Sequence, residues 1–118
     1  VEGLYSGEFS KDLALEALKA FEDFFNGKAY GGTSTVESFN TYLVYLERDD
    51  IVTSITSQLN LVESQVSGLL DNFNQQVITD NSQMLMAYDE LQKVVTFIKN
   101  DMPNAFNVSI TFEDNDGD

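Results

Sequence analysis

The sequence predicts an all-α fold: a four-helix bundle of the up-down type, with a short extended C-terminal tail. Three observations carry this expectation. Apolar residues recur at steps of three and four along most of the chain, the spacing of one helix face. Helix-starting residues stand before these runs and helix-stopping residues after them. The connections are short, which favours antiparallel neighbours. The 118 residues fit one domain, and no linker is long enough to divide 1–118.

The first helix follows a stretch in which Gly3 and Gly7 flank Leu4 and Tyr5, read as a loop or a frayed helix end. Ser10 is its expected N-cap. Leu13, Ala14, Ala17, Leu18, Phe21, Phe24 and Phe25 share one side, with Asp12, Glu16, Lys19, Glu22 and Asp23 on the other. Asn26-Gly27 closes the helix. Tyr30-Gly31-Gly32 reads as a flexible connection. Ser34-Thr35-Val36-Glu37 has the form of a capping box and opens a short second helix, which ends near Arg48. Val36, Phe39, Leu43 and Leu46 form its inner face.

Asp49-Asp50 opens the third helix, where two carboxylates favour the positive end of the dipole. Val52, Ile55, Leu59, Val62, Val66, Leu69 and Phe73 then step by three and four, the strongest periodicity in the chain. At about 1.5 Å per residue this helix should span roughly 35 Å. Gly68 inside it costs about 1 kcal/mol relative to Ala and offers room for a close helix contact. Residues 75–79 are expected to turn, Asp80 and Gln83 to cap the last helix, and Pro103 to stop it. Met84, Tyr88, Leu91, Val95, Ile98 and Met102 form its seam. Val108, Ile110 and Phe112 then alternate with Ser109 and Thr111, an extended pattern that leads into the acidic end at 114–118.

Composition narrows the function classes. Apolar residues make up 42% of the chain, with nine Phe and five Tyr. That suffices for one modest core and argues against a disordered chain. Twenty acidic residues against six basic ones give a net charge of −14, a surface that repels nucleic acid and anionic membrane and attracts cations or basic proteins. An acidic surface that serves solubility alone is the ordinary alternative. There is no cysteine and no histidine, so thiolate chemistry, disulfides and the commonest general base and metal ligand are missing. No apolar run approaches the roughly 20 residues of a membrane span, and no signal-peptide pattern is visible. No membrane insertion by this chain is expected.

No catalytic residue and no metal ligand emerges from the motifs. Asp114-Asn115-Asp116-Gly117-Asp118 resembles part of a calcium loop. With Gly117 at the sixth position, however, Phe112 would be the first ligand and the final glutamate would be missing. A solvated terminus accounts for it as well. The neighbouring acids Glu22-Asp23, Asp49-Asp50 and Asp89-Glu90 diverge around their helices. No Ser-x-x-Lys pattern and no phosphate-binding glycine loop occurs, and Asn107-Val108-Ser109 is a glycosylation triplet of a kind that arises often by chance. One unusual feature is the polar side of the third helix, nearly free of charge in a densely acidic chain. Interface cores are depleted in charge, so Thr53, Ser57, Asn60, Ser64 and Ser67 are a candidate face for another domain or subunit. A plain neutral polar face is the alternative.

The order of segments resembles the C-terminal half of the imelysin-like family. The Tyr30-Gly31-Gly32 turn, the short helix expected over 34–48, the long helix from Asp50 and the closing Asn107-Val108-Ser109-Ile110-Thr111-Phe112-Glu113-Asp114-Asn115-Asp116-Gly117-Asp118 carry the resemblance, over roughly residues 26 to 118. It implies a bacterial envelope protein, periplasmic or outer-membrane-associated, built of two helical halves and linked to iron or haem uptake. Some members are classed as metallopeptidases. The family's metal motif, Gly-x-His-x-x-Glu, belongs to the other half, and this chain has no His. The resemblance therefore transfers no functional residue. It implies a non-catalytic domain that helps form a cleft completed by an N-terminal half. No cofactor is expected in this chain, with iron or haem reserved for the full-length protein. The other expectation, drawn from charge, is an independent acidic adaptor for a basic protein.

Overall fold

The computed structural model describes residues 7–109 as an all-α helical bundle. After a single 3-10 turn at Gly7–Phe9 come α1 (Ser10–Phe25), α2 (Phe39–Tyr45), α3 (Asp49–Ser67) and α4 (Phe73–Thr96). A π-helical segment, Phe97–Asp101, joins α4 to the short α5 (Met102–Phe106). Among the described residues there is no strand, only one isolated bridge between Lys28 and Thr35. The expected tail falls mostly beyond them: Val108 and Ser109 have no regular structure, and 110–118 lie outside the described residues.

The bundle is organised around α3. Its buried residues Ile51, Ile55, Leu59 and Val62 meet Phe25 of α1, Leu43 of α2 and Val94 of α4 in one core. Helix α1 runs antiparallel to α3: the Lys11 amide donates to the Asp71 carbonyl at 3.1 Å and its ammonium to the Leu69 carbonyl at 3.1 Å. Helix α4 is also antiparallel to α3, tied to it where Gln58 donates to the Glu90 carbonyl at 3.0 Å and carboxylate at 2.6 Å. Helices α1 and α4 therefore flank α3 on two sides and scarcely touch each other.

Several boundaries differ from those expected. Ser10 does not cap α1 but is its first residue, buried, with its hydroxyl donating to Gly7 O at 3.3 Å. The capping box of α2 is not Ser34 to Glu37 but Ser38 with Thr41: Ser38 Oγ accepts from the Thr41 amide, and Thr41 Oγ1 from the Ser38 amide at 2.8 Å. A threonine hydroxyl reaches back as a glutamate would, so the helix starts four residues later and Val36 is left outside it. Tyr30-Gly31-Gly32 is a hydrogen-bonded turn rather than a loose connection, with Gly32 N donating to Ala29 O at 2.8 Å and Gly31 at φ 68°, the geometry of a type II turn.

The long seam of α3 stops short. Gly68 is its C-cap, not an interior residue at a close contact, and Leu69 and Phe73 belong to the connection and the next helix. Residues 75–79 are helical, not a turn. Asn72 caps α4 by accepting from Gln75 N at 3.0 Å. The expected cap at Asp80 is nevertheless present as an internal one. Asp80 has non-helical φ −152° and ψ 85°, and its carboxylate accepts from the Ser82 amide at 3.1 Å and from the Ser82 hydroxyl. Buried Gln76 holds this kink, accepting from Leu70 N at 2.8 Å and donating to Asp80 O at 2.8 Å. Pro103 does not stop the chain's helical course. It sits in the first turn of α5, where its missing N–H costs nothing, and the preceding π segment absorbs the mismatch.

Three helices end in the same way. At Gly27, Glu47 and Asn107 the backbone turns left-handed, with φ 68°, 58° and 54°. In each case the next amide bonds five residues back, to Asp23, Leu43 and Pro103, and the left-handed residue bonds three back, to Phe24, Val44 and Asn104. This is the Schellman pattern. At Gly27 a Cβ would collide with the Val36 carbonyl oxygen, so this position also needs glycine for the close return of the 28–37 loop.

Candidate functional site

The space between α1 and α4 is an open apolar groove of about 430 Å³. Its floor is α3, through Leu59, Val62 and Val66. One wall is α1, through Ala14, Ala17 and Phe21, and the other is α4, through Leu91 and Val95, continued by Ile98 of the π-helical segment. No charged side chain lines it.

Helix geometry explains why both walls are apolar. Residues advance by about 100° each, so Leu18 and Phe25 turn toward α3 while Ala14, Ala17 and Phe21 turn toward the gap. Leu13 and Phe24 continue that side outward, 51% and 64% exposed. On α4 the residues closest to α3 are Ala87 and Val94, both buried. The seam expected from sequence, Met84 to Met102, is rotated from that line toward the groove. Tyr88 and Leu91 on it are 55% and 42% exposed. That seam was legible as a helix face; its last members, Ile98 and Met102, lie beyond α4 and pack against the core, while Tyr88 and Leu91 stay exposed.

The polar face named from sequence is elsewhere. Thr53, Ser57, Asn60, Ser64 and Ser67 form one exposed stripe on the side of α3 away from the core and the groove. The structure brings them together along the helix, and among the described residues all five are exposed.

A second apolar surface surrounds α2. Phe24 meets Phe39 edge-on at 5.5 Å, Phe39 stacks on Phe106 at 6.0 Å, Phe106 meets Tyr42 at 5.1 Å, and Tyr42 stacks on Tyr45 at 6.3 Å. Phe106 is partly buried against the core and anchors this row of rings. A shallow cleft beside it is lined by Phe24, Val36, Phe39 and Tyr42 with Lys28 and Glu37. Sequence reading placed Phe39 on an inner face and passed over Tyr42 and Tyr45. The signal available was an aromatic at 39, 42 and 45 in a helix too short to bury all three.

Ion pairs sit away from the groove. Lys19 and Lys28 hold Asp23, Arg48 holds Asp50 and Lys93 holds Glu90. Hydrogen bonds from these cations keep the three carboxyls below their ordinary values, for Glu90 with help from Gln58. The Ser82 hydroxyl does the same for Asp80. Among the described residues no group of three carboxylates is placed to hold a metal ion, and no helix is long and apolar enough to cross a membrane. Comparison with family models, with curated proteins and with solved structures gave no match to this chain.

Proposed function

We propose that this chain is a non-catalytic helical docking domain whose groove between α1 and α4 receives a helix of another domain in the same protein. The observation that carries this reading is the placement of Leu91 and Val95, from α4's apolar seam, along an open groove. A seam of that regularity in water is a surface that excludes solvent when covered. The occupant's chemistry follows from the walls: an amphipathic helix of about three turns, roughly 15 Å along the axis, apolar toward the groove. Ala14 and Ala17 leave room for large residues on the α1 side, and the uncharged lining requires no counter-ion.

The imelysin-like resemblance would make the occupant part of an N-terminal half, and the assembled cleft a device of iron or haem acquisition at the bacterial envelope, in the periplasm or at the outer membrane. That extension rests on the Tyr30-Gly31-Gly32 turn and the closing run to Asp118, not on the groove. The chain supplies no catalytic group in this reading.

Thiol labelling tests the docking. The chain has no cysteine, so Ala17→Cys gives a single reporter at the groove wall. In this chain alone the thiol is expected to react rapidly. In the product of the whole reading frame its rate should fall at least about tenfold, an order typical of burial behind a contact of about 1.4 kcal/mol or more. Equal rates would overturn the reading. Protection that grows with the concentration of this chain alone would overturn it too, because it would identify a second copy as the occupant.

A further inference from the structure

We propose that the aromatic row around α2 binds an arginine-bearing basic segment of a partner protein, at a surface separate from the groove. Four of its five rings, Phe24, Phe39, Tyr42 and Tyr45, are exposed, and Tyr45 is 80% so. Rings that served only the core would be covered as Phe25 is. Phe39 and Tyr42 are each engaged by two neighbouring rings, whereas Tyr45 meets only Tyr42 among the described rings and is otherwise open to solvent. A cation over an aromatic face is attracted by the ring quadrupole.

Charge selects the partner. Glu37 lines the cleft beside the row, and Glu47 and Asp49 follow Tyr45 within four residues along the chain. All three are exposed, and no salt bridge reaches them among the described residues. The nearby cations are already engaged, Lys28 with Asp23 at 3.5 Å and Arg48 with Asp50 through two bonds of 2.9 Å. The locality is therefore negative within a chain of net charge −14, which steers cationic segments toward it. Arginine fits this combination better than lysine. Its planar guanidinium stacks on rings, is weakly hydrated, and still donates to carboxylates such as Glu37 and Glu47. An aliphatic helix would leave those carboxylates facing apolar surface.

The test uses three labelled peptides of identical length, built from arginine-serine-glycine repeats, from the lysine equivalent, and from the neutral citrulline equivalent. Binding is followed by anisotropy at about 0.1 M salt, where surface charge is screened beyond about 10 Å. The arginine peptide is expected to bind best and the citrulline peptide least. Tyr42→Ser combined with Tyr45→Ser should weaken arginine binding about five- to tenfold, while Tyr30→Ser, off the row, leaves it unchanged. Tyr45→Ser alone should give about a two- to threefold loss, and its exposure makes the variant safe for folding. The proposal is overturned if arginine and lysine peptides bind alike and neither variant matters, which would mean bulk charge alone. It is equally overturned if the citrulline peptide binds as well as the arginine one, or if none binds.

Discussion

Glu47 adopts a backbone conformation that glycine favours. At the three left-handed helix ends, Gly27 and Asn107 are residues that tolerate positive φ, while Glu47, at φ 58°, carries a Cβ against the following carbonyl, a strain of about 1–2 kcal/mol for an ordinary L-residue. Leu43 and Val44 still receive the two bonds of the motif, and buried Leu43 with the start of α3 holds the turn in place. Glu47→Gly should therefore stabilise the fold, by up to about 1 kcal/mol after the entropy that glycine adds to the unfolded chain. A urea melt checks it. A loss of stability would mean that the Glu47 side chain contributes more than its backbone costs.

The contact of α3 with α4 is the element-scale feature that pH reaches. Gln58, buried on α3, donates to the Glu90 backbone carbonyl and to one oxygen of its carboxylate, and Lys93 donates to both oxygens of that carboxylate at 2.8 and 2.9 Å. The Lys93 bond first and the Gln58 bond second depress the Glu90 carboxyl below its ordinary value of 4.5. A depressed carboxyl stabilises the fold above its unfolded pKa, and this share is lost as pH falls through the lower folded value. Glu90→Gln removes the titration while keeping the shape. The stability gap between wild type and this variant should shrink between pH 7 and pH 3, measured by urea melts at both. A constant gap would show that the carboxylate charge plays no part in joining α3 to α4.

Helix starts at this scale also show how far sequence reading went. Asp49 as the opening of α3 and the cap at Asp80 were legible, because each depends on the chain within one turn. The start of α2 was not. Two consecutive candidates, Ser34 with Glu37 and Ser38 with Thr41, satisfy the same local chemistry, and the return of Val36 N to Gly27 O at 2.9 Å commits the earlier one to the loop. The helicity of 73–79 was hidden for a similar reason. It depends on Gln76 bridging Leu70 to Asp80, a contact that spacing alone does not reveal.

For the molecule as a whole, charge and apolar exposure pull in different directions. A net charge of −14 opposes compaction through self-repulsion, while the exposed ion pairs such as Lys19–Asp23 contribute at most about 1 kcal/mol each. Added salt should therefore raise the melting midpoint. Relief of about 1 kcal/mol corresponds to roughly 4–8 °C for a domain of this size. A thermal melt between low salt and about 0.2 M sodium chloride, where the Debye length falls below about 10 Å, measures it. A falling midpoint would mean that the pairs outweigh the repulsion.

By itself the sequence determined that this chain is helical, where its polar and apolar sides lie, and that it carries neither thiol nor imidazole chemistry. Those properties follow from spacing and residue type within a few turns. The tertiary structure alone decided what each apolar side meets. The seam of α3 became a core because α1, α2 and α4 converge on it. In the equally regular seam of α4, Leu91 and Val95 became the wall of a groove because α1 lies across α3 from them, too far to close the gap. Periodicity fixes the direction of a side chain relative to its own helix, whereas the presence of a neighbour depends on how all the helices pack.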